Sequence, residues 1–280
     1  MTLTAPAHRS DARTRRPAFA CVLRSEWIKL LSIPASLITL GGIFFIGMTG
    51  SLFLTATLES SGVPSVPSLE RTMGDVTMPM VISGQIIAGI LGVMMIGAEY
   101  SSGTIQLTLV AVPDRLRVLW AKAIVAGSAV TGVAFITVLG TWAATYPFYA
   151  EHGLAAPLTG PGVTSALVGS AAYLGFCSLF GLGVGALVRS TTAGSIIVFA
   201  ATLLIPVLSS VLPYGLLSRL IRITLLGNAG DAMSRVSDGS GPFLDLWSGH
   251  ISTAAGWVIA AVSAGLALTA GAIALRRRDA

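Results

Sequence analysis

The sequence predicts an all-α polytopic membrane protein with six transmembrane helices. Six stretches of the 280-residue chain contain no Asp, Glu, Lys or Arg, and the shortest, Val76–Ala98, has 23 residues. A helix needs about 20 apolar residues to cross the hydrocarbon core, so each stretch is long enough to span it. The composition agrees, because 54% of residues are hydrophobic and only 10% are charged. Unbroken apolar blocks also argue against a transmembrane barrel, whose strands alternate.

We place each span at the most apolar part of its uncharged stretch. The six spans are residues 35–57, 78–98, 124–146, 165–188, 193–212 and 251–275. They belong to a transmembrane domain of residues 34–280, which follows a disordered cytosolic tail, residues 1–17, and a helical segment, residues 18–33. The tail lacks the apolar core of a cleavable signal peptide.

Two of the outer segments have their own expectations. Residues 58–77 contain Pro64 and Pro67 and are expected to form an irregular loop. Residues 216–226 form an apolar stretch of 11 residues with two Arg, which is too short and too charged to span. We therefore expect an outer helical element between spans five and six, lying along the surface or dipping partway into the membrane.

Basic residues are distributed asymmetrically about the six spans. With the N-terminus in the cytosol and alternating spans, 13 of the 17 Lys and Arg fall on the cytosolic side. This positive-inside bias predicts that both termini are cytosolic. We expect a multi-pass protein of a bacterial plasma membrane. The bias also explains the net charge of +5 without invoking nucleic acid. The four outer basic residues are Arg71, Arg219, Arg222 and Arg235.

Residues 18–33 combine apolar and polar residues at helical spacing. This pattern predicts an interfacial helix with Trp27 at the headgroups and cations toward anionic lipid. The alternative is a cytosolic extension of the first span. The apolar positions are Phe19, Leu23, Trp27, Leu30 and Leu31, and the polar positions are Arg24, Ser25, Lys29 and Ser32.

The most specific segment lies between spans two and three. Glu99 ends an uncharged stretch and is followed by Tyr100, Ser101, Ser102, Gly103 and Thr104. Ser and Thr can cap a helix, and Gly permits a sharp change of direction. We therefore predict a short helix from Thr104 to Ala111. Pro113 suits the first position of the next helix, with Arg115, Arg117 and Lys122 at the headgroups.

These residues resemble the signature of the type-2 family of ATP-binding-cassette (ABC) permeases, the membrane subunits of exporters. That signature is a Glu-Tyr/Phe-x-x-Gly-Thr run after the second span, then a Pro and basic residues leading into Ala-Lys. The matching positions are Glu99, Tyr100, Gly103, Thr104, Pro113, Arg115, Ala121 and Lys122. Residues 25–30 resemble the family's Ser-Glu-x-x-Lys helix, and residues 183–194 resemble its turn between spans four and five.

The resemblance implies a transmembrane permease that exports a substrate across the plasma membrane, using ATP hydrolysed by a separate ATPase chain. The helix between spans two and three would be the coupling helix that docks on the ATPase, with Glu99 helping to fix its angle. The alternative for Glu99 is a boundary carboxylate paired with Arg115 or Lys122. The implied coupling residues are Glu99, Tyr100, Ser102, Gly103, Thr104, Pro113, Arg115 and Lys122, and those of the interfacial helix are Glu26, Trp27 and Lys29.

The chain has no nucleotide-binding loop of its own. A P-loop needs Gly-x-x-x-x-Gly-Lys-Ser/Thr, whereas Lys29 and Lys122, the two lysines of the chain, are followed by Leu and Ala. We therefore expect this chain not to be an enzyme and to bind no cofactor or metal itself. ATP and Mg are expected on the partner ATPase. A second permease subunit, identical or related, and membrane lipid are the other expected partners.

Two rival functions remain open from the sequence. One is a polytopic assembly or anchoring factor without transport activity, and the other is an ion-coupled secondary transporter. Such transporters keep ionisable residues within their spans, and the six predicted spans contain no Asp, Glu, Lys or Arg. Within span four, Gly181 and Gly185 predict close helix packing and not a dinucleotide loop.

Overall fold

The computed structural model describes residues 18–61, 68–112, 114–211, 213, 215–216, 220, 223–236 and 251–277. Over these residues the regular secondary structure is helical, with no strand. In chain order the helices are α1 (Phe19–Ser32), α2 (Pro34–Ala56), α3 (Leu58–Ser61), α4 (Leu69–Ser101), α5 (Thr104–Ala111), α6 (Arg115–Glu151), α7 (Val163–Val188), α8 (Thr191–Phe199), α9 (Ile205–Val211), α10 (Leu226–Met233) and α11 (Thr253–Arg277).

Six of these helices are long and apolar enough to cross a membrane, which confirms the predicted all-α polytopic fold. They are α2, α4, α6, α7, the continuous helix formed by α8 and α9, and α11. A π-helical turn, Ala200–Leu204, joins α8 to α9. Pro34 opens α2 because its fixed φ suits the first helical turn and its missing N–H has no helical partner there.

The helices continue beyond the apolar stretches that mark them in the sequence. Span two is the later part of α4, which has 33 residues, and span three is the middle of α6, which has 37. The expectation of an irregular loop over residues 58–77 is wrong from Leu69 onward. There, Ser68 caps α4, its hydroxyl accepting a hydrogen bond from the Arg71 N–H at 3.4 Å. Residues 62–67, with both prolines, lie outside the described residues.

The segment between spans two and three contains a short helix with the predicted bounds, α5. The next helix begins later than expected, at Arg115 with Asp114 as its N-cap, instead of at Pro113. Pro113 itself lies outside the described residues. For the outer element between spans five and six, the structure describes α10, which begins where the apolar stretch 216–226 ends. Residues 217–219 and 221–222 of that stretch lie outside the described residues.

Helices α4 and α7 form the centre of the bundle and pack most extensively against each other. Glycines allow their backbones to approach closely. A Cβ at Gly181 would overlap the carbonyl oxygen of Gly89, and one at Gly185 would lie 3.0 Å from Val93 Cα. The Gly181–Gly185 pattern therefore lies at the contact between the two central helices, where small residues permit van der Waals packing.

The spans alternate in direction, so that several helix ends meet at one end of the bundle. The starts of α2, α6 and α8 lie at this end, together with the ends of α4, α7 and α11. We call this the basic end, because it holds Lys29, Arg115, Lys122, Arg189 and Arg276.

Candidate functional site

Four charged side chains from three helices form one hydrogen-bonded network at the basic end. The Lys122 ammonium donates to Glu26 Oε2 at 2.7 Å and to Glu99 Oε1 at 2.8 Å. The Lys29 ammonium donates to Glu26 Oε1 at 2.7 Å and to the same Glu99 Oε1 at 2.9 Å. Two carboxylates balance two ammonium groups. We call Glu26, Lys29, Glu99 and Lys122 the charge network, and it uses both lysines of the chain.

The local sequence of α1 explains how Glu26 reaches this position. Helix α1 buries Val22, Glu26 and Leu30, which are spaced by four residues, and it packs mainly on α6. Glu26 therefore lies in the middle of a buried stripe, and Lys29 lies less than one turn further on. The helical spacing predicts Lys29 on the polar face, toward anionic lipid. In the structure its ammonium instead binds Glu26 and Glu99, and the apolar Leu30 is buried beside them.

Because the charge network is buried, removing any one of its partners is costly. The Lys122 side chain is 1% exposed, and those of Glu26 and Glu99 are 2% and 13% exposed. Lys122 also donates to the Met95 carbonyl oxygen at 3.0 Å, so all three of its N–H groups have acceptors. A buried ion pair that loses one partner leaves an uncompensated charge, which costs about 3–5 kcal/mol. The charge network therefore fixes α1 to the end of α4 and the beginning of α6.

The charge network also determines the protonation of Lys29, its most exposed member at 36%. Burial alone lowers the pKa of the ammonium, but hydrogen bonds and charge attraction from Glu26 and Glu99 outweigh it. The net result is a pKa above the usual value for lysine. Lys29 therefore remains charged at neutral pH.

The structure separates the two pairings that the sequence offered for Glu99. Its carboxylate binds Lys122 and, unexpectedly, Lys29 from α1. Arg115 instead donates from Nη1 to the Leu275 carbonyl oxygen at 2.8 Å. Leu275 lies in the last turn of α11, where carbonyl oxygens lack N–H donor partners within the helix. Arg115 therefore ties the beginning of α6 to the end of the last helix.

Helix α5 protrudes from the basic end through a turn at Gly103. Gly103 has φ of 71°, a left-handed conformation that glycine adopts without steric cost. The Ser102 hydroxyl donates to the Ala98 carbonyl oxygen at 2.8 Å and lies 2.8 Å from the Thr104 hydroxyl. Helix α5 packs mainly against α4. It buries Ile105 but leaves Leu107 and Val110 72% and 80% exposed.

A second contact, missed in the sequence, ties α4 to the turn between α7 and α8. The Arg189 guanidinium lies over the Tyr100 ring, 5.1 Å from its centroid, which is the geometry of a cation–π interaction. Arg189 has φ of 58°, a left-handed conformation that is unusual for a residue with a side chain. The sequence identified residues 183–194 only as a turn. An Arg directly after an uncharged span was the available signal.

The opposite end of the bundle contains buried polar pairs that the sequence did not anticipate. Tyr149 donates to Asp75 Oδ2 at 2.9 Å, and Asp75 is buried within α4 instead of lying in a loop. Asp231 and Arg235 form a second buried pair at the end of α10. Among the described residues, no group of three or more His, Cys, Asp or Glu is arranged to hold a metal ion.

No family model matches the chain, and no curated protein matches it as a relative.

Proposed function

We propose that this chain is the membrane permease subunit of an ABC exporter, powered by ATP that a separate ATPase subunit hydrolyses at the basic end. The observation that carries the proposal is the charge network. It joins residues of the two separate segments that carry the resemblance, Glu26 and Lys29 in the first, and Glu99 and Lys122 in the second. Their side chains meet within hydrogen-bonding distance.

Helix α5 supplies the docking element of this proposal. Leu107 and Val110 lie less than one turn apart and are both largely exposed, although the helix is too short to span a membrane. Exposed apolar side chains grouped on one face mark a site of protein interaction. An apolar groove on the ATPase subunit is the partner that we propose for this face.

The charge network supplies the mechanical link. A force applied to α5 acts on the end of α4 through the Gly103 turn, and the charge network joins that end to α1 and α6. We propose that nucleotide-driven closure of two ATPase subunits pushes on α5 in each of two paired permease subunits, identical or related. Helices α1, α2, α4 and α6 then move as a unit and open the pathway outward. ATP and Mg²⁺ bind to the ATPase subunits only.

A cross-linking experiment tests the proposed docking. A photoreactive amino acid replaces Leu107 on α5 and, as a control, Leu158, a partly exposed residue at the opposite end of the bundle. Both variants are illuminated in membranes of the native host, and the captured proteins are sequenced. An ATPase with a P-loop captured from position 107 and not from 158 supports the proposal. Absence of such an ATPase at 107, or equal capture at both positions, contradicts it.

An ion-coupled transporter is the second candidate, and Asp75 is the observation that favours it. Asp75 precedes the predicted span two, but α4 begins at Leu69 and buries this carboxylate against Tyr149. Buried carboxylates of this kind carry protons or ions in secondary transporters. Transport by the purified chain in liposomes without ATP, lost in Asp75→Asn, would establish this alternative. Transport that requires ATP and persists in Asp75→Asn would exclude it.

A further inference from the structure

A cavity of about 60 Å³ lies beside the charge network. The charge network itself forms its polar wall. Its apolar wall comes from the end of α1, the α1–α2 junction and the last turns of α4, through Leu30, Ile33, Met94 and Ala98. The cavity therefore combines four charged groups with a hydrocarbon surface, at the level where the apolar part of α4 ends.

Within the charge network, one N–H of Lys29 and one carboxylate oxygen of Glu99 make no hydrogen bond to the described residues. Lys122 uses all three N–H groups within the protein, whereas Lys29 uses two of three and is partly exposed. Glu99 Oε1 accepts two hydrogen bonds, but Glu99 Oε2 is buried and accepts none from the described residues. An unsatisfied buried carboxylate oxygen is unfavourable. A cationic N–H donor from a ligand would satisfy it.

The residues around the cavity indicate the chemical source of such a donor. Ile33 and Leu37 continue the apolar wall onto the outer surface of α2 and are exposed. Trp27, Ile28 and Leu31 are exposed on α1. Apolar residues next to a charged site at the end of a spanning helix match the boundary between lipid headgroups and acyl chains. A single water needs about 10–15 Å³ of such space, so this cavity is large enough for a bigger group.

We propose that this cavity binds the headgroup of a primary-amine phospholipid of the phosphatidylethanolamine class. The lipid ammonium donates to Glu99 Oε2, the phosphate accepts from the remaining N–H of Lys29, and the acyl chains lie along Ile33 and Leu37. A zwitterion keeps the neutral charge network neutral. A choline headgroup has no N–H to donate, and phosphatidylglycerol brings a negative charge with no cation for Glu99.

Native mass spectrometry of the purified chain tests this assignment. The chain is reconstituted in equal parts of phosphatidylethanolamine, phosphatidylcholine and phosphatidylglycerol, released from the bilayer, and its retained lipids are counted. We expect phosphatidylethanolamine to be retained about tenfold over each of the others, the ratio that corresponds to one charge-assisted hydrogen bond. Equal retention of phosphatidylcholine or phosphatidylglycerol would overturn the proposal.

Variants that fill the cavity without touching a charge sharpen the test. Ala98→Leu places a larger side chain in the cavity, and Ile33→Trp narrows it from an exposed position. Both are expected to lower phosphatidylethanolamine retention about tenfold, as loss of the same hydrogen bond predicts. Ala144→Leu changes an exposed alanine of α6 that is remote from the cavity, and it should leave phosphatidylethanolamine retention unchanged. Undiminished retention in a folded cavity-filling variant would overturn the assignment.

A soluble competitor distinguishes a lipid from a free amine. Phosphoethanolamine carries the same ammonium and phosphate but no acyl chains, so we expect millimolar concentrations to leave the retained lipid in place. Full displacement would show that the headgroup alone occupies the site and would overturn the lipid assignment. These measurements contain no ATPase, so their failure and failure of the proposed transport function are distinguishable.

Discussion

Replacing Lys122 with methionine is the perturbation that most directly tests the role of the charge network in stability. Lys122 donates to Glu26, to Glu99 and to the Met95 carbonyl oxygen. Methionine has a similar length and an apolar end, so Lys122→Met removes the charge while preserving most of the packing volume. The variant leaves two carboxylates that only the half-buried Lys29 can neutralise.

The burial of the charge network sets the expected magnitude. Because Lys122 and Glu26 are almost completely buried, we expect Lys122→Met to lower the free energy of unfolding by about 3–5 kcal/mol, the range for breaking a buried pair. Glu26→Met in the same chain removes the carboxylate that has lost its partner and restores charge balance, leaving Lys29 with Glu99. The double variant should therefore be at least as stable as Lys122→Met alone.

Equilibrium unfolding in mixed micelles measures the free energies of unfolding of Lys122→Met and of the double variant. Denaturing detergent is the titrant, and tryptophan fluorescence is the signal. Arg117→Met is the matched control, because Arg117 is also on α6 but its pair with Asp114 has side chains 40% and 41% exposed. Exposed pairs contribute about 0–1 kcal/mol. A loss of stability in Lys122→Met no larger than in Arg117→Met, or a further loss when Glu26→Met is added to Lys122→Met, would contradict the stabilising role of the charge network.

Three further predictions concern backbone positions. A Cβ at Gly103 would meet no atom within 4 Å, but the residue at this position has a positive φ. Gly103→Asn should therefore preserve ATP hydrolysis by the assembled transporter, whereas Gly103→Pro should reduce it. Equal rates for the two variants would contradict the coupling role of this turn. Gly181→Ala should lower the free energy of unfolding by about 1–3 kcal/mol through overpacking against Gly89, whereas Gly132→Ala, with open space, serves as the control; similar losses would contradict the close α4–α7 contact. Arg189→Gly should be more stable than Arg189→Ala by about 1 kcal/mol, because glycine adopts φ of 58° without the strain that alanine has there. The reverse order in thermal unfolding would show that the backbone is not strained there.

The fold could be predicted from the sequence because the signals that specify it are local. A run of uncharged residues longer than a bilayer is thick defines a span wherever it occurs, so all six spans were found. The Ser-Ser-Gly-Thr segment gave the bounds of α5 because caps and a flexible glycine act within a few residues. The positions of the helix ends were predicted less accurately, since α4 and α6 continue through polar residues that composition assigns to loops.

The charge network could be predicted only in part, because its contacts join residues far apart in the chain. Lys122 and Glu26 are 96 positions apart, and Lys29 and Glu99 are 70 apart. A charged residue at the end of a span looks the same in sequence whether it extends to the headgroups or pairs inside the protein. The pairing of Glu99 with Lys122 was one of two options from the sequence. The pairing of Glu26 and Lys29 with the other two residues depends on the packing of α1, which the sequence does not specify.

Asp75 illustrates a different limit. The nearby Pro64 and Pro67 led to an expected loop, but Ser68 begins a helix after them and carries Asp75 into the protein interior. Its partner, Tyr149, lies beyond span three in the sequence, and no local pattern connects the two residues.

Reconstitution with the partner ATPase tests whether this chain is coupled to ATP hydrolysis. The ATPase captured at position 107 is purified, and ATP hydrolysis is measured in liposomes for the ATPase alone, for this chain alone, and for both together. We predict no hydrolysis by this chain alone and a several-fold higher rate for the pair than for the ATPase alone, with the increase lost in Leu107→Asp. An ATPase rate that is the same with and without this chain would contradict the account.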